Sequence, residues 1–542
     1  MNAASLPNPP QTLPLLLARA PDAATAIVSP AGALIYGQLA QASARVAAGL
    51  RRLGVAPGDR VAIWLPNVDA WLAVFFACAR IGAIAVAVNT RFRSSELADI
   101  LGRSRAKVLV FWPAFKQIDF AGILGDCAPA DLAHLAAVVA YGSDAAAGDG
   151  GTLLGRPVVT YAALADHAPL EDVAATGESG CALFTTSGTS SRPKFVLHDQ
   201  RTLATHACNV VRAWNLSADS VTLLVPPLCG VFGLATTLAT LAGGGRLIMS
   251  PVWDAHSDGA AIVRHGVTHL YTSDTALAQL LQLPQAPAFA RSLQHVGYAA
   301  FSPGEADIVA RAEAMGVRVA GLYGSSELQA LLAAQDSAAP VAERSLGGGY
   351  FVSPAAHVRV RDPESGRLAA PGETGELEFR APHSVMRGYF ENPEATAKAF
   401  TDDGYFRSGD LGYARPDGSF VYLARMDDTL RLGGYLVSPA EIEAVVQECD
   451  GVAECQVVGI TMKGELRPIA CVIARASPAP GEAAPDEAAI IGHAAHRLAR
   501  HKVPVRVLMM DAFPVTSSAN GTKIQKARLR ELALAELEPG RA

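Results

Sequence analysis

Cysteine is scarce in this 542-residue chain: eight residues, none of them in a C-x-x-C arrangement. That excludes a disulfide scaffold, and the closest pair, Cys449 and Cys455, has too few other ligands nearby for a zinc site. Reduced cytoplasmic thiols are expected. Basic residues are not in excess either; 45 Lys+Arg stand against 51 Asp+Glu, a formal charge of −6, which gives no support to nucleic acid as the main ligand. A secretory layout is missing, because the apolar run at 13–18 precedes the first positive charge, Arg19, instead of following it. No membrane span is expected: the apolar segment 70–88 is divided by Arg80 and Gly82 into a helix-like half and a strand-like half. There is no internal repeat. Half the residues are hydrophobic, enough for a large buried core, and at roughly 150 residues per domain the length allows about three to four structural units.

The first part of the chain alternates helical and strand-like patterns. Residues 37–52 have helical periodicity, while 60–66 and 107–112 are apolar strand candidates, as expected of βα units with buried parallel sheets. Residues 143–157 read as a loop rich in Gly and small residues. Strand candidates follow at 221–225 and 246–249, and turns between short strands at 361–375. After Tyr422 the composition changes. A helix start at Ser438-Pro439, strands at 455–460 and 469–474, and a helix at 487–501 predict a small α+β C-terminal unit. Three histidines, His493, His496 and His501, are spaced to share a helix face, but a polar face accounts for them without a metal.

The strongest local signal lies at 184–194, where small hydroxyl residues surround Gly188 and Lys194 closes the run. Such a stretch leaves amides and hydroxyls free for phosphate oxygens, and the lysine adds a compact charge. Walker A spacing is absent. A Ser/Thr-rich stretch taken alone serves equally well as an ordinary turn.

Further segments give this run its meaning. Tyr323-Gly324-Ser325-Ser326-Glu327, Gly375-Glu376-Leu377, Met386-Arg387-Gly388-Tyr389, the run 405–410 ending in Asp410, Arg425 with Asp427, and Gly521-Thr522-Lys523 follow in order. With the phosphate-loop run they resemble the adenylate-forming superfamily of acyl-CoA synthetases, peptide-synthetase adenylation domains and luciferases, over nearly the whole chain. The resemblance implies a fold: a large N-terminal region of α/β subdomains plus a small β unit (1–426), hinged at Asp427 to a smaller mobile α+β domain (427–542). It also implies roles. Thr186, Ser187, Gly188, Thr189 and Lys194 would hold the ATP phosphates. Tyr323 would stack on adenine beside Gly324, Ser326 would contact the α-phosphate, and Glu327 would bind Mg²⁺. Asp410 and Arg425 would hold the ribose, and Lys523 would reach the α-phosphate and the attacking carboxylate. Attack of one anion on another needs this charge neutralisation. The bland alternatives are a turn residue for Asp410, a helix N-terminal charge for Glu327 and a surface ion pair for Arg425 and Asp427.

Some positions depart from the family pattern. Ser191 and Phe195 stand where glycines are usual, so loop closure on ATP is expected to differ, and a catalytically silent nucleotide-binding homologue is an alternative. Gly321 replaces an adenine-reading Asn, and Cys229 and Gly230 replace an aromatic and a histidine. No acidic residue occurs at 228–233 to pair with an α-amino group. Asp274 reads as a helix cap, His198 as structural, and Cys229 as pocket lining without a local base. The expected pocket residues, Val231, Phe232, Tyr298, Ala299, Ala300, Phe301, Gly321 and Leu328, are small or apolar and point first to a fatty acid and second to an aromatic acid. The expected reaction is ATP- and Mg²⁺-dependent adenylation of the acid followed by thioester formation with CoA. A separate acyl carrier protein is the alternative acceptor.

Overall fold

The helix Tyr36–Arg52 buries Leu39, Val46, Ala47 and Leu50 on one stripe, as its 3.6-residue periodicity predicts. Beside it lies Asp69–Ile81, almost entirely buried and closed by Gly82 at φ 74°, a left-handed cap that suits glycine. The chain then turns into the strand Ile84–Ala87. The apolar segment 70–88 is thus a helix-turn-strand unit, and no described helix is long and apolar enough to cross a membrane. The computed structural model describes residues 9–142, 151–186, 193–301, 305–426, 429–432, 435–462, 465–475, 485–518 and 521–537, with 431, 435–436, 516–518 and 521–523 described by backbone alone.

Among the described residues, two large sheets dominate the first 425 positions. In the nine-stranded one, Ile84–Ala87, Arg60–Trp64, Ala106–Phe111 and Ala137–Ala140 run parallel. The strands Gly180–Thr185 and Phe195–Asp199 extend it as an antiparallel hairpin. Its far edge is the hairpin of Thr152–Leu153 and Arg156–Thr160, in a stretch the composition had suggested was loop. Val158 and its neighbours pair with Ala137–Ala140, so apolar β-branched residues overrode the surrounding glycines.

The 13-stranded sheet changes character at one point. From Arg246–Met249 through Val221–Leu224, His269–Ser273 and His295–Ala299 to Val319–Ser325 it is parallel; beyond that it is antiparallel, through Gln329–Ala334 to the β unit of Gly375–Arg380, Phe406–Ala414 and Phe420–Arg425. The Tyr323–Glu327 motif sits at that change, at the C-terminal end of the last parallel strand.

Beyond residue 430 the chain has cores of its own. One is built from residues 430–507 and a second from 458–537, around the sheet of Val452–Met462, Glu465–Ala474 and Arg506–Met509. Ser438 occupies the N-cap of Pro439–Gln447, but its hydroxyl makes no capping bond. The expected helix at 487–501 ends at Ala495 and is followed by a 3₁₀ turn, Arg500–Lys502. His493 and His496 contact Arg497 and the Gly492 carbonyl, and no group of three or more metal-ligating side chains occurs among the described residues.

Candidate active site

The phosphate-loop run hangs from the hairpin of Gly180–Thr185 and Phe195–Asp199, and its neck is clasped twice. Thr186 N donates to the Lys194 carbonyl at 3.0 Å, and Lys194 N donates to Thr186 Oγ1 at 3.2 Å. Ser187, Gly188, Thr189 and Ser191 lie outside the described residues. Lys194 is exposed, with Nζ 4.7 Å from the centre of the Tyr389 ring. Phe195 was expected to stiffen the loop, yet it is a strand residue paired with Thr185, its buried ring lying under the Arg103 guanidinium at 4.4 Å. A side chain there is spent on packing.

The motif strand Val319–Ser325 and its partner Gln329–Ala334 form a second hairpin, turning at 326–328. Gly324 allows their close approach: a Cβ there would stand 2.6 Å from the Gln329 carbonyl oxygen. His198 is buried and, held neutral by desolvation, lies with Nε2 2.7 Å from the Ser326 carbonyl, so the two hairpins are tied together. Glu327 follows in the turn, not at a helix start; its Oε1 accepts a 3.0 Å bond from the Tyr389 hydroxyl, and its carbonyl accepts from Met386 N. Gln329 and Leu331 both adopt positive φ, 61° and 65°, which is costly for side-chain-bearing residues. His206 braces them, with Nε2 2.8 Å from the Ala330 carbonyl and Nδ1 2.9 Å from Ser384 Oγ.

On the opposite side of the motif, Asp410 and Arg425 are cross-strand partners. Arg425 Nη1 donates to Asp410 Oδ1 at 2.8 Å and to the Ser408 carbonyl at 3.1 Å. The Tyr323 hydroxyl donates to the other carboxylate oxygen of Asp410. Burial raises the Asp410 carboxyl above its ordinary value, opposed by the Arg425 charge. Asp410 is therefore a strand residue with two partners and not a turn residue, and the Arg425 ion pair reaches into a buried carboxylate. The Tyr323 ring packs against Phe379, Phe420 and Tyr422.

The eight residues expected to line an acid pocket divide. Val231 and Phe232 begin the helix Val231–Ala242 and share a cluster with Cys229, with Ala299 packed against it. Cys229 is buried, and desolvation pushes its thiol up to about 12. Tyr298, adjacent to Ala299 on a strand, necessarily points to the other face; it packs with Val296, Ile308 and Val319 and donates to the Ser345 carbonyl at 3.1 Å. It does not join Phe232. Leu328 packs with Tyr323 and Leu332 in a third cluster and is likewise separated. Gly321 faces the backbone, since a Cβ there would lie 2.1 Å from the Leu346 carbonyl oxygen; an Asn would have no room. Ala300 is exposed, and Phe301 N donates to Asp274 Oδ2 at 2.7 Å. Sequence alone suggests Asp274 as a cap, but Ser273 is the cap, accepting from Ala276 N; Asp274 anchors the segment that passes Ala300.

Lys523 stands on the strand Gly521–Ile524, opposite Thr516 of Val515–Ser518; its side chain and Asp427 lie outside what is described. Two residues had no role assigned from sequence. Tyr389 belonged to a quoted motif without a function, and its Gly-Tyr pair was the available signal; His206 had none, being one more residue of an amphipathic helix. Among the described residues, Glu327 in the 326–328 turn offers a carboxylate, while Asp410 is engaged by Arg425 and Tyr323. That fits Mg²⁺, which takes one or two carboxylates and otherwise phosphate and water.

Comparison with known proteins agrees with this geometry. The family model for AMP-binding enzymes matches residues 17–390, and that for the AMP-binding enzyme C-terminal domain matches 441–520. A feruloyl-CoA synthase from Amycolatopsis is 32% identical over 95% of this chain and 97% of its own. A 2-hydroxy-7-methoxy-5-methyl-1-naphthoate–CoA ligase from Streptomyces carzinostaticus is 29% identical over 92% and 88%. The crystal structure of ATP-bound MatB from Rhodopseudomonas palustris superposes with a TM-score of 0.81 at 26% identity, over 96% of this chain and 98% of that one. The chain belongs to the AMP-binding enzyme family, the adenylate-forming superfamily of AMP-forming acid–thiol ligases.

Proposed function

We propose that this ligase activates a ring-bearing aromatic acid, with the site residues in the roles that follow. The observation that carries the site assignment is the convergence, on one sheet reversal, of the clasped phosphate-loop hairpin, the Glu327 turn and the Tyr323–Asp410–Arg425 cluster. Asp410, its carboxylate oriented by Arg425 and Tyr323, accepts from ribose hydroxyls. The Tyr323 ring supports adenine, with Gly324 and Ser326 beside the α-phosphate. Thr186, Ser187, Gly188 and Thr189 offer amides and hydroxyls to the β- and γ-phosphates, and Lys194 supplies charge. Mg²⁺, held by Glu327, would withdraw charge from the phosphate oxygens. Lys523 enters from the C-terminal domain to orient the carboxylate against the α-phosphate, pyrophosphate leaves, and CoA then displaces AMP at the acyl carbon. Domain boundaries at 1–426 and 427–542, with Asp427 as hinge, let that lysine withdraw for the second step.

Two relatives, by their names, act on ferulate and a hydroxynaphthoate, and the Cys229–Val231–Phe232 wall with Ala299 offers an apolar surface and a neutral thiol. Both favour an aromatic acid over the fatty acid that sequence suggested first. All eight cysteines are free and buried, which suits a cytoplasmic setting. ATP–pyrophosphate exchange across hydroxycinnamic, benzoic, naphthoic, fatty and amino acids tests the reading, with thioester formation then measured on adding CoA or a phosphopantetheinylated carrier. Exchange with the aromatic acids and CoA thioester formation are expected; exchange with fatty acids alone would reverse the acid assignment.

A further inference from the structure

Lys194 and Glu327 both lie against Tyr389, and a cation and a carboxylate so placed tend to pair when no phosphate separates them. Among the described residues they form no ion pair. Between them stands Tyr389. Its ring lies under the Lys194 ammonium, 4.7 Å from Nζ to the ring centre, and its hydroxyl donates to Glu327 Oε1 at 3.0 Å.

The backbone of Tyr389 is fixed independently of either charge. Gly388–Tyr389 pairs with Val196 and Leu197 of the hairpin strand; Arg387 N donates to the Leu197 carbonyl, and Phe390 N donates to the Phe195 carbonyl at 2.8 Å. Tyr389 N donates to Thr396 Oγ1 at 2.9 Å, within the helix Pro393–Ala399. The side chain is almost fully buried. Its phenol is a fixed donor to the carboxylate and a neutral face for the ammonium.

We propose that Tyr389 is a positioning residue, holding the Lys194 ammonium on its ring and the Glu327 carboxylate on its hydroxyl so that each meets the metal–nucleotide separately instead of neutralising the other. This rests on the ATP-site reading above. The hydroxyl spends one lone pair of Oε1 and leaves Oε2 open to a cation, while the ring attracts Lys194 without supplying a counter-charge that phosphate must displace. Loss of the hydroxyl should weaken recognition of the metal-bound nucleotide in particular, and loss of the ring should release Lys194 as well.

The test compares Tyr389→Phe and Tyr389→Leu with the unaltered enzyme by calorimetric titration of ATP, once with excess Mg²⁺ and once with chelator, alongside melting curves. Freeing the Glu327 carboxylate implies about a tenfold weaker MgATP affinity in Tyr389→Phe, with metal-free ATP affinity unchanged and the melting temperature somewhat lowered, because the bond is already made in the nucleotide-free protein. Tyr389→Leu should lose a further two- to fivefold, roughly, in both titrations. Pyrophosphate exchange should follow as a raised half-saturating Mg²⁺ concentration with the acid KM constant. Unchanged MgATP affinity in Tyr389→Phe, or equal losses with and without metal, would overturn the proposal. If Tyr389→Leu does not fold, the Phe variant alone decides. An unaltered enzyme that binds MgATP but exchanges no pyrophosphate defeats the functional reading while the affinity comparison still judges Tyr389; one that binds no ATP overturns both.

Discussion

Asp410 has two partners whose removal has different consequences. Arg425 is half exposed whereas the carboxylate is buried, so Arg425→Ala leaves a desolvated charge with only the Tyr323 hydroxyl. We expect about 1–3 kcal/mol lower stability by urea denaturation, and a larger relative loss in ATP affinity than in stability, because the carboxylate also loses its orientation. Asp410→Asn removes the charge and should cost less in stability than Arg425→Ala while impairing ATP binding as strongly. Lys523 differs: Lys523→Ala should slow adenylation by orders of magnitude in exchange assays and leave ATP affinity largely intact. Unchanged exchange would remove that lysine from the chemistry.

At this scale motifs single out residues, whereas the direction a side chain takes is poorly legible. Asp410, Arg425 and Glu327 could be named from their motifs. Tyr298 and Leu328 could not be excluded from the pocket, because strand alternation is known only once the register is known, and a one-residue difference reverses the face. Phe195 looked like a loop residue because the hairpin's end could not be located to within one position. Tyr389 was visible as part of a motif, but its contacts join segments more than sixty residues apart in sequence, which no local pattern reports.

Among the elements, the motif hairpin is the most constrained. Gly324→Ala would set a methyl 2.6 Å from the Gln329 carbonyl and 2.8 Å from Ala330 Cα, both backbone atoms. An overpacking cost of about 1–3 kcal/mol is expected, with activity lost in parallel; melting temperature and exchange rate measure both. The His206 brace adds a pH dependence. Desolvation lowers the His206 imidazole from 6.5 to about 4, and His269, bonded to the Trp214 carbonyl, to about 4 as well. The folded state therefore favours the neutral rings, and the unfolded chain binds more protons between those values. Their contribution is present in full above pH 6.5 and is lost as pH falls through that window towards 4. Melting temperature should drop steadily from pH 7 to 4.5, and His206→Gln should start lower but fall less steeply. An equal slope in the variant would remove His206 as a source. The elements themselves were largely readable, helix 36–52 and the parallel strands above all, since buried apolar runs and amphipathic stripes are local properties. The 152–160 hairpin was missed because its glycines carried the turn signal while its strand residues were only five long.

For the whole molecule, separate cores before and after residue 430 imply separate cooperative units. Calorimetry should resolve two transitions, and ATP should raise chiefly the one belonging to the larger unit, by about 2.7 kcal/mol of stabilisation at a hundredfold excess over Kd. A single transition shifted as one would mean that the two units unfold together. The composition changes after Tyr422, but the reversal from parallel to antiparallel order leaves no local mark, being a property of long-range pairing.

That pairing also sets a timetable for synthesis. Among the described residues the strand Phe195–Asp199 is paired on its outer side by Gly388–Tyr389, made some 190 residues later. At roughly 5–20 residues per second on the ribosome, its backbone amides stay open for about 10–40 s, an invitation to pairing with another nascent chain. The segment that places Tyr389 beside the phosphate loop is thus also the one that ends this exposure, and chains truncated before it should depend on chaperones to remain in solution.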